Sequence, residues 1–234
     1  MVCYAWAIMT TIAGNLQAVQ DRIDAACRAA GRDRSSVRLL AVSKTFGIDA
    51  IQAAFDSGQQ CFGENYIQEA VDKIQALRGL PIEWHCIGPI QSNKTRLVAE
   101  HFDWVQSLDR LKIAQRLDAQ RPAHLLPLQV CIQVNTDGGP TKAGVPPGEV
   151  AALAAAVGEL PRLKLRGLMT IPEPAPDFAA SSALHARARM LFDALNAQGL
   201  GLDTLSMGMS ADLDAAIHAG STVVRVGTAV FGQR

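Results

Sequence analysis

The chain has 234 residues, close to the roughly 250 of a (β/α)8 barrel and enough to bury a sizeable single core. Lysine plus arginine and aspartate plus glutamate both total 22, so the formal charge is zero and neither nucleic acid nor a strongly charged partner is called for. Nothing is apolar for long enough to span a membrane, and the five cysteines are scattered without a CxxC pair. That pattern argues against a disulfide framework or a zinc site, and for a reducing, cytoplasmic compartment.

Met1–Ile8 lacks the basic n-region of a signal peptide. With Met9 an equally good start, residues 1–8 read as a disordered extension and residues 9–234 as one domain. Ile12, Leu16, Val19, Ile23 and Ala26 follow at three- and four-residue steps, which predicts an amphipathic helix ending near Gly31. Strands are expected at 37–42, 60–63, 84–87, 104–107, 128–134, 163–169, 204–207 and 222–226. Helices are expected between them, one opened by Asn65 and one capped by Ser210 with Asp212 and Asp214 in its first turn. The segment 136–140 is a mobile loop by composition, and Pro172, Pro174 and Pro176 stiffen another. About eight alternating strands and helices in this length give an α/β fold, a single (β/α)8 TIM barrel with an extra N-terminal helix.

The first strand ends in Lys44, where chemistry gathers in such barrels. A lysine there either snorkels to solvent or, desolvated, serves as an amine that condenses with a carbonyl. The same mouth should receive Asn65, His85, Asn135, Met169, Ser210 and Arg225. The last strand runs through Arg225 into Gly227 and Thr228, a turn whose free amides suit an anion, and the loop 206–210 adds a hydroxyl. Arg225 needs a partner, most simply a carboxylate on a neighbouring strand. His85 reads as a hydrogen-bonded core histidine, because no second ligand stands at metal spacing.

Six stretches together carry a specific resemblance: Leu40–Thr45, Phe62–Tyr66, Trp84–Lys94, Arg166–Met169, Ser206–Ser210 and Arg225–Ala229. On these the chain resembles the YggS/PROSC family of pyridoxal-phosphate-binding proteins from about Ile12 to Gly232. That family is similar in fold to the barrel domain of alanine racemases. The resemblance implies pyridoxal 5'-phosphate as cofactor and Lys44 as its Schiff-base lysine. It places Ser210, Gly227 and Thr228 around the phosphate, Arg225 facing the pyridine nitrogen and Asn65 along the ring. Cys86 departs from the bulkier apolar residue usual in the family, and Gly139-Pro140 replaces a more acidic stretch before Lys142.

Two functions compete. The first is a monomeric, mainly non-catalytic binder that holds or delivers pyridoxal phosphate for vitamin B6 and amino-acid homeostasis. Its partners would be small amines or amino acids and recipient apo-enzymes. The second is an amino-acid racemase with Lys44 as one base. A racemase needs a base on each face of the α-carbon. Related racemases draw a tyrosine from a second domain, which this chain is expected to lack; its own tyrosines are Tyr4 and Tyr66. A barrel enzyme acting on a phosphorylated sugar survives only if Lys44 carries no aldehyde. The binder is preferred.

Overall fold

Eight short apolar runs form the strands β1 (Arg38–Val42), β2 (Cys61–Glu64), β3 (Glu83–Cys86), β4 (Trp104–Leu108), β5 (Leu128–Val134), β6 (Leu163–Thr170), β7 (Thr204–Ser206) and β8 (Val223–Val226). They pair in parallel and in chain order, and β8 returns to β1 to close the barrel. The computed structural model describes residues 2–138 and 142–233, with the backbone alone over residues 2–10. Burial on both faces explains why strands such as β1 read as continuous apolar runs.

The helices α1 (Val2–Ala29), α2 (Ile48–Asp56), α3 (Ile67–Ala76), α4 (Thr95–His101), α5 (Leu111–Gln120), α6 (Val150–Gly158), α7 (Phe178–Ala197), α8 (Leu213–His218) and α9 (Thr228–Phe231) surround the barrel. The outward strand residues and the inner helix faces form the main core. The stripe Ile12, Leu16, Val19 and Ile23 on α1 is buried, as its spacing predicts, and packs against α2, α8 and α9. Asn15 Nδ2 donates to Val230 O at 3.0 Å, and Arg22 reaches the Ser210 carbonyl at 2.6 Å. The extra helix therefore braces the two turns nearest the end of the barrel. The expected extension over residues 1–8 falls on Met1 and on side chains outside the described residues, and the expected mobile loop at 136–140 falls partly outside them too.

Alternate residues of each strand point inward. A small apolar cluster of Trp104, Cys131 and Met169 sits inside the barrel, apart from the main core. His85 stacks on Trp104 with ring centroids 5.1 Å apart. The other inward positions are unusually polar for this fold: Gln106, Ser206 and Arg225 are all buried there. No helix of the described residues is long and apolar enough to cross a membrane.

Candidate cofactor-binding site

A cavity of about 620 Å³ opens at the carboxyl ends of the strands. Lys44, Asn65, Ser210, Arg225, Gly227 and Thr228 all line it, so six residues from distant segments meet in one place.

Lys44 follows β1, and its position is set by its neighbours. Ser43 is fully buried; its amide donates to Gly63 O at 3.0 Å and its hydroxyl to Glu64 Oε1 at 2.7 Å. Thr45 sits in the left-handed region at φ 67°, a costly conformation for a β-branched residue, and its amide donates to Glu69 Oε1 at 2.7 Å. Beneath the turn Lys73 is buried, with Nζ 2.8 Å from Glu64 Oε1, 2.6 Å from Glu69 Oε1 and 2.9 Å from Ser43 O. Burial pushes the Glu64 carboxyl up, against the pull of Lys73 and Ser43. Lys73 thus fastens the turn that presents Lys44, while Lys44 Nζ makes no ion pair or hydrogen bond among the described residues.

Across the cavity β8 runs into Gly227 and the short helix α9, whose first amides have no partner within the helix. Gly227 allows a close approach to β1, since a Cβ there would lie 3.1 Å from Val42 O. A side chain at 227 would therefore press on β1 and not fill the cavity. Ser210 is not the helix cap expected from the sequence. Residues 209–212 form a turn, closed by Asp212 N donating to Met209 O at 3.2 Å, and α8 begins after Asp212. The cap position falls to Asp212, whose carboxylate takes the Met209 amide at 2.6 Å and bonds His185 at 2.9 Å. The Ser210 hydroxyl is left without a hydrogen bond among the described residues and lines the cavity.

Asn65 lies in the bend before α3, which starts two residues later than expected, at Ile67. Gly88 packs against it so closely that a Cβ would come within 2.2 Å of Asn65 O. The Asn65 Oδ1 atom is buried with no partner. Arg225 has no carboxylate in direct contact, contrary to expectation. Its Nη1 donates to Ser206 Oγ at 2.7 Å and its Nη2 to Thr170 O at 2.8 Å. Burial pulls its pKa down to about 10. With five donors on the guanidinium, capacity remains for a group in the cavity.

An amine, a buried amide oxygen and a hydroxyl with unmet valences, together with helix-start amides and a buried cation, fit a small aldehyde-bearing phosphate ligand with a polar ring. Three residues expected at the mouth are elsewhere. His85 and Met169 lie inside the barrel, one layer below Ile87 and Ile171, which follow each by two positions and line the cavity instead. A strand's period of two makes this unavoidable. Asn135 turns into its loop, where its Oδ1 accepts from Gly138 N at 3.0 Å. Phe46, stacked on Phe231 at 5.0 Å, lines the cavity unforeseen, and the buried Lys73 is likewise absent from the sequence-derived site. Only the i,i+4 pair Glu69–Lys73, coming just after Glu64, hinted at its role.

Residues 14–234 match the family model described as alanine racemase, N-terminal domain. The pyridoxal phosphate homeostasis protein of Pseudomonas aeruginosa is 59% identical over 226 residues, covering 97% of both chains. The protein of the same name from Escherichia coli is 52% identical over 229 residues, 97% of this chain and 98% of that one. Among solved structures, PipY of Synechococcus elongatus with PLP bound superposes with a TM-score of 0.81 at 37% identity, over 94% of this chain and all of that one. Alanine racemase from Corynebacterium glutamicum superposes with a TM-score of 0.70 at 18% identity, covering 97% of this chain and 62% of that chain, a likeness of fold alone. The chain belongs to the alanine racemase N-terminal domain family and, within it, to the pyridoxal phosphate homeostasis proteins.

Proposed function

We propose that this chain binds pyridoxal 5'-phosphate in the mouth cavity and acts mainly as a non-catalytic holder that buffers the cofactor and releases it. The observation that carries this is the unpaired Lys44 amine at the end of β1, facing the amides of Gly227 and Thr228 across one cavity. Lys44 would hold the aldehyde, the Gly227 and Thr228 amides with the Ser210 hydroxyl the phosphate, Asn65 the ring edge and Arg225 the ring nitrogen. When bound, the cofactor supplies an electrophilic carbon that exchanges between amines. The chain's own residues bind and orient it: the Ser43–Glu64–Lys73 cluster fixes the approach of Lys44, and α1 braces the phosphate end. The binding of PLP by PipY and the shared name of the close relatives support the same reading.

A racemase needs a second base on the far face of the substrate. Tyr66 is 55% exposed and does not line the cavity, and the only titratable groups among the described lining residues are Lys44 and Arg225. Arginine at the ring nitrogen also opposes its protonation and so weakens the ring as an electron sink. Small amines and amino acids would enter as exchange partners, and apo-enzymes would receive the cofactor from a monomeric carrier. A cytoplasmic setting suits Cys27, Cys61, Cys86 and Cys131, all free thiols. The test is an absorption spectrum of purified protein before and after addition of an amino acid, run beside a chirality assay. A lysine-bound cofactor band that amines displace, with no turnover beyond that of free cofactor, is the expected result. Turnover approaching one per second and lost in Tyr66→Phe would overturn the binder reading in favour of a racemase.

A further inference from the structure

Beneath the cavity a row of polar side chains descends through the barrel interior. Arg225 Nη1 lies 2.7 Å from Ser206 Oγ, and Ser206 Oγ lies 2.8 Å from Gln106 Oε1. Gln106 Nε2 lies 3.0 Å from His85 Nδ1, and His85 Nε2 lies 2.8 Å from Glu83 Oε1. Arg225, Ser206, Gln106 and His85 are buried, and Glu83 emerges in a second cleft beside Arg38, at the amino ends of the strands.

The acceptor at the far end fixes the direction of the links. The Glu83 carboxylate only accepts, so the buried neutral His85 donates from Nε2 and leaves Nδ1 bare for the Gln106 NH2. Gln106 Oε1 is then left to accept the Ser206 proton, while Ser206 Oγ accepts from Arg225. Each link thus presents its negative end towards Arg225, and the last is a carboxylate. Three donors converge on Glu83 Oε1: His85 Nε2 at 2.8 Å, Arg38 Nη1 at 2.8 Å and Cys61 Sγ at 3.4 Å. Cys61, Glu83 and His85 stand close enough to hold a metal ion, but in this arrangement their polar atoms satisfy one another.

A buried cation is costly unless its charge is answered. Arg225 has only a hydroxyl and a carbonyl in direct contact; the Asp212 carboxylate acts on its charge through space, but what holds the guanidinium in place is the Thr170 carbonyl and the row that begins at Ser206. We propose that Gln106 and His85 are positioning residues of the cofactor site, linking Arg225 to the Glu83 carboxylate at the opposite end of the barrel. The amide in the middle passes no proton, so the link is a row of aligned dipoles and not a proton relay. It orients the guanidinium towards the cofactor ring and steadies its charge. This rests on the mouth cavity being the pyridoxal phosphate site.

The test uses the full chain in two forms. In the apo-protein, 15N spectra of the imidazoles should show His85 protonated at Nε2 and bare at Nδ1, and added pyridoxal phosphate should shift both resonances. Affinity for pyridoxal phosphate, read from cofactor fluorescence, should fall about two- to thirtyfold in Glu83→Gln, an isosteric change at the far end of the row. Gln106→Leu should produce a similar loss, and Glu83→Gln should add nothing in that background. Asp203→Asn, a charge at the same end but outside the row, should bind normally. Full affinity in Glu83→Gln, additive losses in the double variant, or a proton on His85 Nδ1 would overturn the inference. If Gln106→Leu does not fold, Glu83→Gln and the imidazole spectrum still decide. If the wild-type chain takes up no pyridoxal phosphate, the proposed function fails, and the apo spectrum tests the row by itself.

Discussion

The two ends of the barrel treat polar groups in opposite ways. At the mouth, Lys44 Nζ and the Ser210 hydroxyl have no partner among the described residues, and Asn65 Oδ1 is buried without one. At the floor, Arg38 is paired with Glu83 at 2.8 Å and Arg166 with Asp203 at 2.6 Å, and Arg166 also lies over the Trp104 ring at 4.9 Å. Unmet valences in a cavity are what a ligand satisfies, whereas paired charges at a surface cleft hold the fold. Position in the barrel, more than residue type, decides which role an arginine or lysine has. Changes at the mouth should therefore cost binding and spare stability, and changes to paired groups outside the buried row from Arg225 to Glu83 should do the reverse.

The sharpest challenge to that division is Lys73, which lies under the mouth but is paired like a floor residue. Lys73→Met strands the Glu64 carboxylate and should cost about 3–5 kcal/mol in urea unfolding, whether or not cofactor is present. Ser210→Ala is the opposite case. Loss of one hydrogen bond to a charged group, roughly 1.5–3 kcal/mol, should weaken cofactor retention about ten- to a hundredfold with the melting temperature of the apo-protein unchanged. Unchanged retention would mean that the phosphate is held elsewhere. Gly88→Ala falls between the two. Its methyl must displace Asn65, so both apo stability, by about 1–3 kcal/mol, and cofactor affinity should fall.

Acid, read with one variant, probes a single pairing at the floor. Burial would raise the Glu83 carboxyl, but hydrogen bonds from His85 and Cys61 and the Arg38 charge hold it down to about 2 from an ordinary 4.5. A depressed carboxylate contributes stability that is present above the ordinary value and lost as pH falls towards the folded one. Glu64, raised by burial, works in reverse and is relieved as it protonates. Melting curves from pH 5 down to pH 3 should therefore fall less steeply in Glu83→Gln than in the wild type; parallel curves would contradict the pairing. The smallest effect is expected from Tyr66→Phe, on an exposed ring outside the cavity, which should leave cofactor binding and stability alike unchanged.

The mouth was legible in the sequence because it is built from residues at strand ends, where a lysine, a glycine or an arginine interrupts an apolar run. Lys44, Asn65, Ser210 and Arg225 line one cavity with the turn at Gly227 and Thr228, whereas His85, Asn135 and Met169, read from the same strand ends, do not. Depth was not legible. His85 and Met169 have the right strands and the right face but lie one layer down, and only the exact strand ends decide between a mouth residue and a core residue. Nor could spacing reveal the buried row from Arg225 to Glu83, because it is assembled from β8, β7, β4 and β3, and its links exist only once the barrel closes. Ser210 misled for a local reason: it is a good capping residue, but Asp212 takes the cap position and leaves the serine for the cavity.

The central claim is that Lys44 is the amine that takes the cofactor, and borohydride reduction of protein loaded with pyridoxal phosphate tests it most directly. Lys44 lines the cavity unpaired, whereas Lys142 is bound to Asp137 at 2.9 Å and Glu173 at 3.0 Å, and Lys73 is buried among carboxylates. Peptide mass mapping should place the pyridoxyl group on Lys44, and Lys44→Ala should take up none. A pyridoxyl group on Lys94 or Lys142 in the wild-type chain, with Lys44 unmodified, would contradict the account.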